Sequence, residues 1–269
     1  MLIAGIALVA IGIVLLLVRR SHQSKLADIQ GTEGSTAAGL MKAAAYVGER
    51  MGSSGSYGEM TQLSGAVKCD SPITAQLSQQ PCVYYSMNVT REYEEEYWET
   101  NSQTKERERK TRHSSQTVSS NSDRVPFYLE DATGRILVDP AGGDIEAVQV
   151  VDRFENGEVD QNATVSFGSF TFSFSGLNLG GSGTRTIGYR YKESVLPLDR
   201  RLFVLGEAND RAGELRISKP KEGKRFIITV KSQEELVQST ISTVKWLLYG
   251  GVGLDLLGVI LIIVGLVKK

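Results

Sequence analysis

LSGAVKCDSPITAQLSQQPCVYYSMNVT, residues Leu63 to Thr90, is the stretch around which the rest of the chain can be ordered. Ala66 to Cys69 is a short run that stops at Asp70-Ser71-Pro72, where proline removes an N–H and sets a turn or extended backbone. Pro81 opens a second run in which Val83, Tyr85, Met87 and Val89 alternate with more polar neighbours as far as Arg91. A period of two in β-branched and aromatic residues predicts a half-buried strand. Two strands joined by a loop are therefore expected here.

The second strand continues into REYEEEYWE, residues 91–99, and is answered by KERERKTR, residues 105–112. An acidic arm then faces a basic one. With Thr100 opposite Thr104, Glu99 meets Lys105, Glu95 meets Arg109, Glu94 meets Lys110 and Glu92 meets Arg112, and only Glu96 opposite Glu108 is unfavourable. Each such pair contributes roughly 0.2–1 kcal/mol, so the pairs select a register more than they stabilise one. Segment 91–123 is read either as this charged hairpin or, because HSSQTVSSNSD follows, as a solvated insert.

Further strands follow the same logic. FYLEDATGRILV, residues 127–138, is a hairpin by pattern, with Gly134 suited to its turn. Between Ala163 and Leu177, Val165 and Phe167 share one parity and Phe170, Phe172 and Phe174 the other, so a bulge or turn at Gly168 is needed to restore one buried face. GGSGTR, residues 180–185, resembles a phosphate cradle only superficially, since no GK[ST] follows, and is read as a plain turn. Residues 202–205, 214–218 and 226–230 complete a strand-rich unit over 63–230, an α+β class in which β dominates.

Apolar segments flank this unit. Leu2 to Val18 carries no charge for 17 residues and is followed at once by Arg19 and Arg20, the lower limit for crossing a hydrocarbon core about 30 Å thick. The positive charges lie after the apolar run, the reverse of a cleaved signal peptide, so an uncleaved anchor is expected. Residues 24–52 have helical spacing interrupted by Gly31, Gly34 and Gly39, and GSSGSYG, residues 52–58, is a connector by composition. A helical lead-in, 234–244, runs into a second apolar segment, 246–267.

Asp255 stands about nine residues into that last segment, near the bilayer centre, where an ionisable side chain costs about 2.5–3.5 kcal/mol. It is expected to face protein or water. Gly251, Asp255 and Gly258 share one helical face, and Gly265 extends it by a heptad. Gly5 and Gly12 supply small residues on the first segment, so the two segments are expected to run antiparallel and pack along these faces, with Gly5 near the depth of Gly265. An interface between copies, making a homo-oligomer, remains open.

Composition excludes several chemistries. Lysine and arginine number 30 against 31 acidic residues, so no global field argues for nucleic acid. Cys69 and Cys82 are the only cysteines and His22 and His113 the only histidines, too few for a two-zinc module. No cofactor is indicated. The two thiols are read as small buried groups, or as a pair if the domain faces an oxidising compartment. No Ser-His-Asp or Cys-His set assembles, and the carboxylates are interleaved with lysine and arginine as on a solvated surface.

Gly65, Cys69-Asp70-Ser71-Pro72 and Pro81-Cys82-Val83-Tyr84-Tyr85 resemble the GIDE, or "beside a membrane", domain of the organelle RING E3 ubiquitin ligases of MULAN type and their prokaryotic relatives. A second block is similar to the family's C-terminal half: YRYKESVLPL (189–198) with Glu193, FVLGEA (203–208) with Gly206, and KPKEG (219–223) with Pro220 and Gly223. Among these marks Gly206 and Gly223 are read as turn glycines and Pro220 as a strand breaker, while Glu193 has no evident role. The resemblance implies membrane apposition. In the family the ligase activity belongs to a RING after the second membrane segment, and with the sequence stopping at Lys269 this module is expected to be absent.

Two functions follow. One is a non-catalytic scaffold, anchored in the lipid bilayer by two passes and binding an unidentified protein or lipid partner. The other is a subunit of a ubiquitin-ligase-like or other membrane-associated enzymatic system whose catalytic module is on another chain. Arg19, Arg20, Lys25, Lys231 and Lys245 lie on the domain side against Lys268 and Lys269 beyond, which favours a cytoplasmic domain at a prokaryotic cell membrane. Family resemblance points to the opposite side.

Overall fold

The computed structural model describes residues 2–51, 55–100, 106–157, 164–167, 170–173 and 184–267. Helix α1, Leu2–Gly31, is unbroken, so the apolar run and the first part of the juxtamembrane segment form one rod about 45 Å long. The chain then breaks at residues 32–36 and re-enters as α2, Ala37–Met51. Thr36 caps α2, its hydroxyl accepting the Gly39 N–H at 3.1 Å. Across the break, Ser35 N–H donates to the Gln62 carbonyl at 2.9 Å, fastening the helix junction to the first strand.

The strands in chain order are β1 Gly58–Lys68, β2 Ile73–Thr74, β3 Pro81–Thr100, β4 Arg107–Arg124, β5 Phe127–Asp131, β6 Gly134–Val138, β7 Asp144–Glu146, β8 Val148–Asn156, β9 Thr164–Phe167, β10 Phe170–Ser173, β11 Thr184–Pro197, β12 Arg201–Asn209, β13 Arg216–Ser218 and β14 Ile227–Thr229. Helix α3, Gln233–Val267, closes the described chain. The protein is thus α+β with β dominant, flanked by two long apolar helices.

The first sheet closes on itself. β1 pairs β5, β5 pairs β6, β6 pairs β13, β13 pairs β12, and β12 returns to β1, with β14 and β7 continuing from the other half of β12. Closure removes sheet edges and encloses a core of Leu63, Val67, Phe127, Leu129, Ile136, Val138, Val204 and Ile217. Each such side chain, fully buried, contributes about 1.5–3 kcal/mol of transfer free energy. α2 lays Leu40, with Ala43, Ala44 and Val47, onto this core.

The second sheet is β4-β3-β11-β8, with β2 also paired to β3. Its core is Cys82, Tyr85, Met87, Val89, Tyr189, Tyr191 and Val195, with Ala75 and Leu77 from the loop before β3. Val83 and Leu196 reach into the barrel core instead, so β3 and β11 join the two units.

A third cluster mounts the domain on its helices: Ile29 of α1 and Leu236 of α3 pack on Phe203, Leu205 and Ile227. Arg225 adds polar contacts to α1, donating to the Ser21 carbonyl at 2.8 Å and standing 3.4 Å from the Asp28 carboxylate. α3 begins with a capping box, in which the Ser232 hydroxyl accepts the Glu235 N–H at 3.2 Å and the Glu235 carboxylate accepts the Ser232 N–H at 3.0 Å.

Two expectations are corrected. The β3–β4 hairpin exists, but Thr100 faces Arg107 rather than Thr104, a shift of three residues that puts Glu95 opposite Arg112 and Glu99 opposite Glu108. Diagonal contacts recover some of the charge pairing, Glu96 with Arg109 and Glu99 with Lys110. The connector is not free at its end: Asp210 accepts the Gly55 and Tyr57 N–H groups at 2.9 and 3.0 Å. β9 and β10 pair as a hairpin with Phe167 opposite Phe170, while the expected turn at Gly168 and the start of the connector at residues 52–54 lie outside the described residues.

Candidate functional site

Glu193 is the most unusual residue of the domain. It lies on β11 between Met87 of β3 and Val151 of β8, and is wholly buried. A carboxylate in such a place must be compensated. Its two oxygens accept the backbone N–H groups of Leu77 at 2.8 Å and Ser78 at 2.7 Å. Leu77 and Ser78 belong to the tight loop between β2 and β3, closed by Ala75 N–H to the Gln80 carbonyl at 3.0 Å, with Gln79 left-handed at φ 58°. Glu193 therefore fixes the loop that carries the chain from Asp70-Ser71-Pro72 to Pro81.

Of the other marks, Cys82 and Tyr85 share the core of this sheet. Cys82 sits in the same cluster, and burial, with the charge of Glu193 adding, pushes its thiol up to about 11. Burial also raises Tyr85, whose hydroxyl accepts from the Asn121 amide at 3.2 Å, and takes Tyr191 up to about 12. These shifts move each group away from neutral pH, the opposite of what a nucleophile or general base needs. Tyr84 faces the other way, stacked under the Arg124 guanidinium at 5.7 Å. Cys69 is half-buried with its thiol 3.7 Å from the Pro126 carbonyl, and both cysteines are free. Among the described residues no group of three or more His, Cys, Asp or Glu is placed to hold a metal.

The glycines and proline are packing and turn residues. A Cβ on Gly65 would come within 2.5 Å of the Glu130 carbonyl oxygen, so β1 and β5 meet there backbone to backbone. Gly206 is not in a turn: it lies inside β12 opposite Thr61, and a Cβ would strike Phe226 and Ile217 at 2.8 and 2.9 Å. Of these three glycines, Gly223, at φ 71°, is the one in a turn that favours glycine. Pro220 is buried shortly after β13 ends.

Along the helices, Gly5 faces Gly258 and Ile262, Gly12 faces Gly251 and Asp255, Gly251 faces Leu16, and Gly265 faces Leu2. Contacts descending on one helix as they ascend on the other make the pair antiparallel. Gly5 thus meets Gly258 and Ile262, and Gly265 meets Leu2, so Gly5 stands about one turn from the level of Gly265.

Two further residues, Asp131 and Arg91, matter and carried only local signals. Asp131 ends β5 in a D-A-T-G turn, where Oδ1 accepts the Thr133 and Gly134 N–H groups while Oδ2 accepts the Ala37 N–H of α2 at 2.8 Å. Burial raises this carboxyl, but the hydrogen bonds from Thr133, Ala37 and Gly134 outweigh it and hold the group below the usual range. Arg91, nearly buried, donates to the Thr186 hydroxyl at 2.8 Å and stacks 4.7 Å from the Tyr93 ring. Beyond it the β3–β4 arm carries an exposed Trp98 and the ion pair Glu95–Arg112 at 2.9 Å.

A closed small β-barrel, a second sheet joined to it and a rigid mount on two antiparallel apolar helices define a class of domain held close to one end of a helix pair. The GIDE family profile, described as E3 Ubiquitin ligase, matches residues 95–264, more than half of the chain. This chain belongs to the GIDE family. It is 33% identical over 141 residues to E3 ubiquitin-protein ligase SPL1 of Arabidopsis thaliana, covering 51% of this chain and 38% of that protein. It is 31% identical over 142 residues to E3 ubiquitin-protein ligase SP1 of the same plant, covering 52% and 38%. The chain thus spans well under half the length of these relatives. No solved structure matches. The family match begins after the Cys69 to Tyr85 block, within the charged arm.

Proposed function

We propose that this is a two-pass membrane protein whose GIDE domain is a non-catalytic binding platform for a protein partner beside the bilayer. The observation that carries it is the mount: Ile29 and Leu236 are embedded in Phe203, Leu205 and Ile227, so the barrel cannot swing freely on its helices. Both helices are long and apolar enough to cross a membrane. Their apolar portions begin about 15 Å from the mount, at the 1.5 Å rise of a helix, which holds the domain close to the lipid surface.

The domain is assigned to the cytoplasmic side by the cluster Arg19, Arg20, Lys25, Lys231 and Lys245. A Ser120→Cys variant, exposed on β4, should stay unlabelled by an impermeant maleimide in intact spheroplasts; labelling reverses the assignment. A photoreactive residue at exposed Trp98 in native membranes should yield a discrete protein adduct, and no adduct above that of one at buried Leu129 overturns the proposal.

The second function, a subunit of a ubiquitin-ligase-like system, is favoured by the names of the two plant relatives. It predicts that the Trp98 adduct is a ligase or its conjugating enzyme. Ubiquitin transfer by this chain alone, with activating and conjugating enzymes supplied, would remove the non-catalytic assignment.

A further inference from the structure

Asp255 is left incomplete by the helix pair. Its Oδ1 is sealed, with no hydrogen-bond partner, on the side where α1 passes at Gly12. The residue as a whole is only half-buried, so the carboxyl opens outward on its other side. The sealed side is closed by Gly12 of α1, where an added Cβ would strike Asp255 Oδ1 and come within 3.0 Å of the Gly251 carbonyl oxygen, an acceptor like the carboxyl itself.

Among the described residues the open side offers no donor either. Val252 and Val259, three residues before and four after, share the Asp255 face and are 42% and 48% exposed. Trp246 and Tyr249 carry donors, but nine and six residues away along the helix they stand roughly 9–14 Å from Asp255, toward the interface. An ionisable group at mid-bilayer depth needs a polar partner at the same depth.

We propose that α3 meets α3 of a second copy across the Val252–Asp255–Val259 face, so that the two Asp255 carboxyls share a proton, the O–H of one donating to the carboxyl oxygen of the other. Depth identifies the occupant. A two-fold axis along the membrane normal brings the same residue to the same level in both copies, whereas an unrelated helix must supply its own donor there. A carboxylic acid is donor and acceptor at once, as a self-complementary contact requires. The dimer rests on the membrane-spanning reading above.

The test uses the full chain in native membranes, with Cys69→Ser and Cys82→Ala removing the native thiols. Oxidation of a Val252→Cys variant should give a disulfide-linked dimer. Adding Asp255→Leu should lower its yield about tenfold, whereas Asp255→Asn, which keeps a donor and an acceptor, should hold it within about threefold. An undiminished dimer in Asp255→Leu, no dimer at all, or a crosslink to a chain of different mass overturns the proposal. A Leu2→Cys/Gly265→Cys pair reports the hairpin itself, since a Cβ on Gly265 lies 3.4 Å from the Leu2 Cβ. If that intrachain bond forms in protein resistant to alkaline extraction while the dimer fails, only the dimer is wrong. Extraction by alkali sinks both.

Discussion

Glu193 Oε1 accepts the backbone N–H of Leu77 at 2.8 Å across 116 residues of sequence, inside a site closed to solvent. Removing the acceptor strands the buried Leu77 donor and leaves the half-buried Ser78 donor without its partner. Glu193→Ala should destabilise the domain by about 2–5 kcal/mol, and Glu193→Gln, which turns an amide N–H₂ toward one donor, by about 1–3 kcal/mol. Denaturant unfolding of the full chain in mild detergent checks the order. An alanine variant as stable as the parent would show that the loop finds other acceptors.

Asp131 links stability to pH. Its folded-state value lies below the ordinary carboxylate range, so the unfolded chain binds more protons between the two values. The stabilisation is fully present above the unfolded value near 3.9 and is lost as pH falls through the folded one. Asp131→Ala should cost about 0.5–2 kcal/mol at neutral pH by freeing the α2 N-terminus. The variant should also lose less of its remaining stability than the parent as acid is added, which melting curves from pH 6 downward measure.

The thiols should react in a fixed order. Cys82 is buried and its thiol is pushed up to about 11, leaving roughly one part in a thousand as thiolate at pH 8. Cys69 is half-buried at the end of β1. Brief iodoacetamide treatment of the native protein followed by mass spectrometry should modify Cys69 first and Cys82 only on unfolding. Comparable labelling rates would contradict the packing around Cys82.

Gly258 cannot accept a side chain without parting the helices, because a Cβ there would lie 2.8 Å from the Gly5 carbonyl oxygen and 2.7 Å from Val9. Gly258→Leu should therefore reduce disulfide formation between Leu2→Cys and Gly265→Cys about tenfold, the loss of one to two kcal/mol of close packing. Unchanged crosslinking would mean that the two helices meet along another face.

Most of the elements and their order were legible in the sequence, although β7 and β8, between Asp144 and Asn156, were not read from it. Seventeen uncharged residues followed by two arginines can hardly be other than a long apolar helix, and alternation from Val83 to Val89 can hardly be other than a strand, because both patterns express local geometry. It also carried the class, α+β with strands between two apolar helices. Register was another matter. The charged arm slid three residues from the pairing that its charges favoured, since exposed ion pairs of a few tenths of a kcal/mol cannot outweigh the pairing of β3 with β11 and the apolar packing beneath it. Glu193 had no role until β11 was laid beside β3 and the loop at Leu77 folded over it, and Gly206 passed for a turn residue until Phe226 and Ile217 were seen against it. Barrel closure, the Asp131 cap on α2 and the seating of Ile29 and Leu236 on Phe203 join residues far apart in the chain. Such contacts become favourable only once the whole chain has met the entropy of bringing them together, so no local pattern records them and the tertiary structure alone decides them.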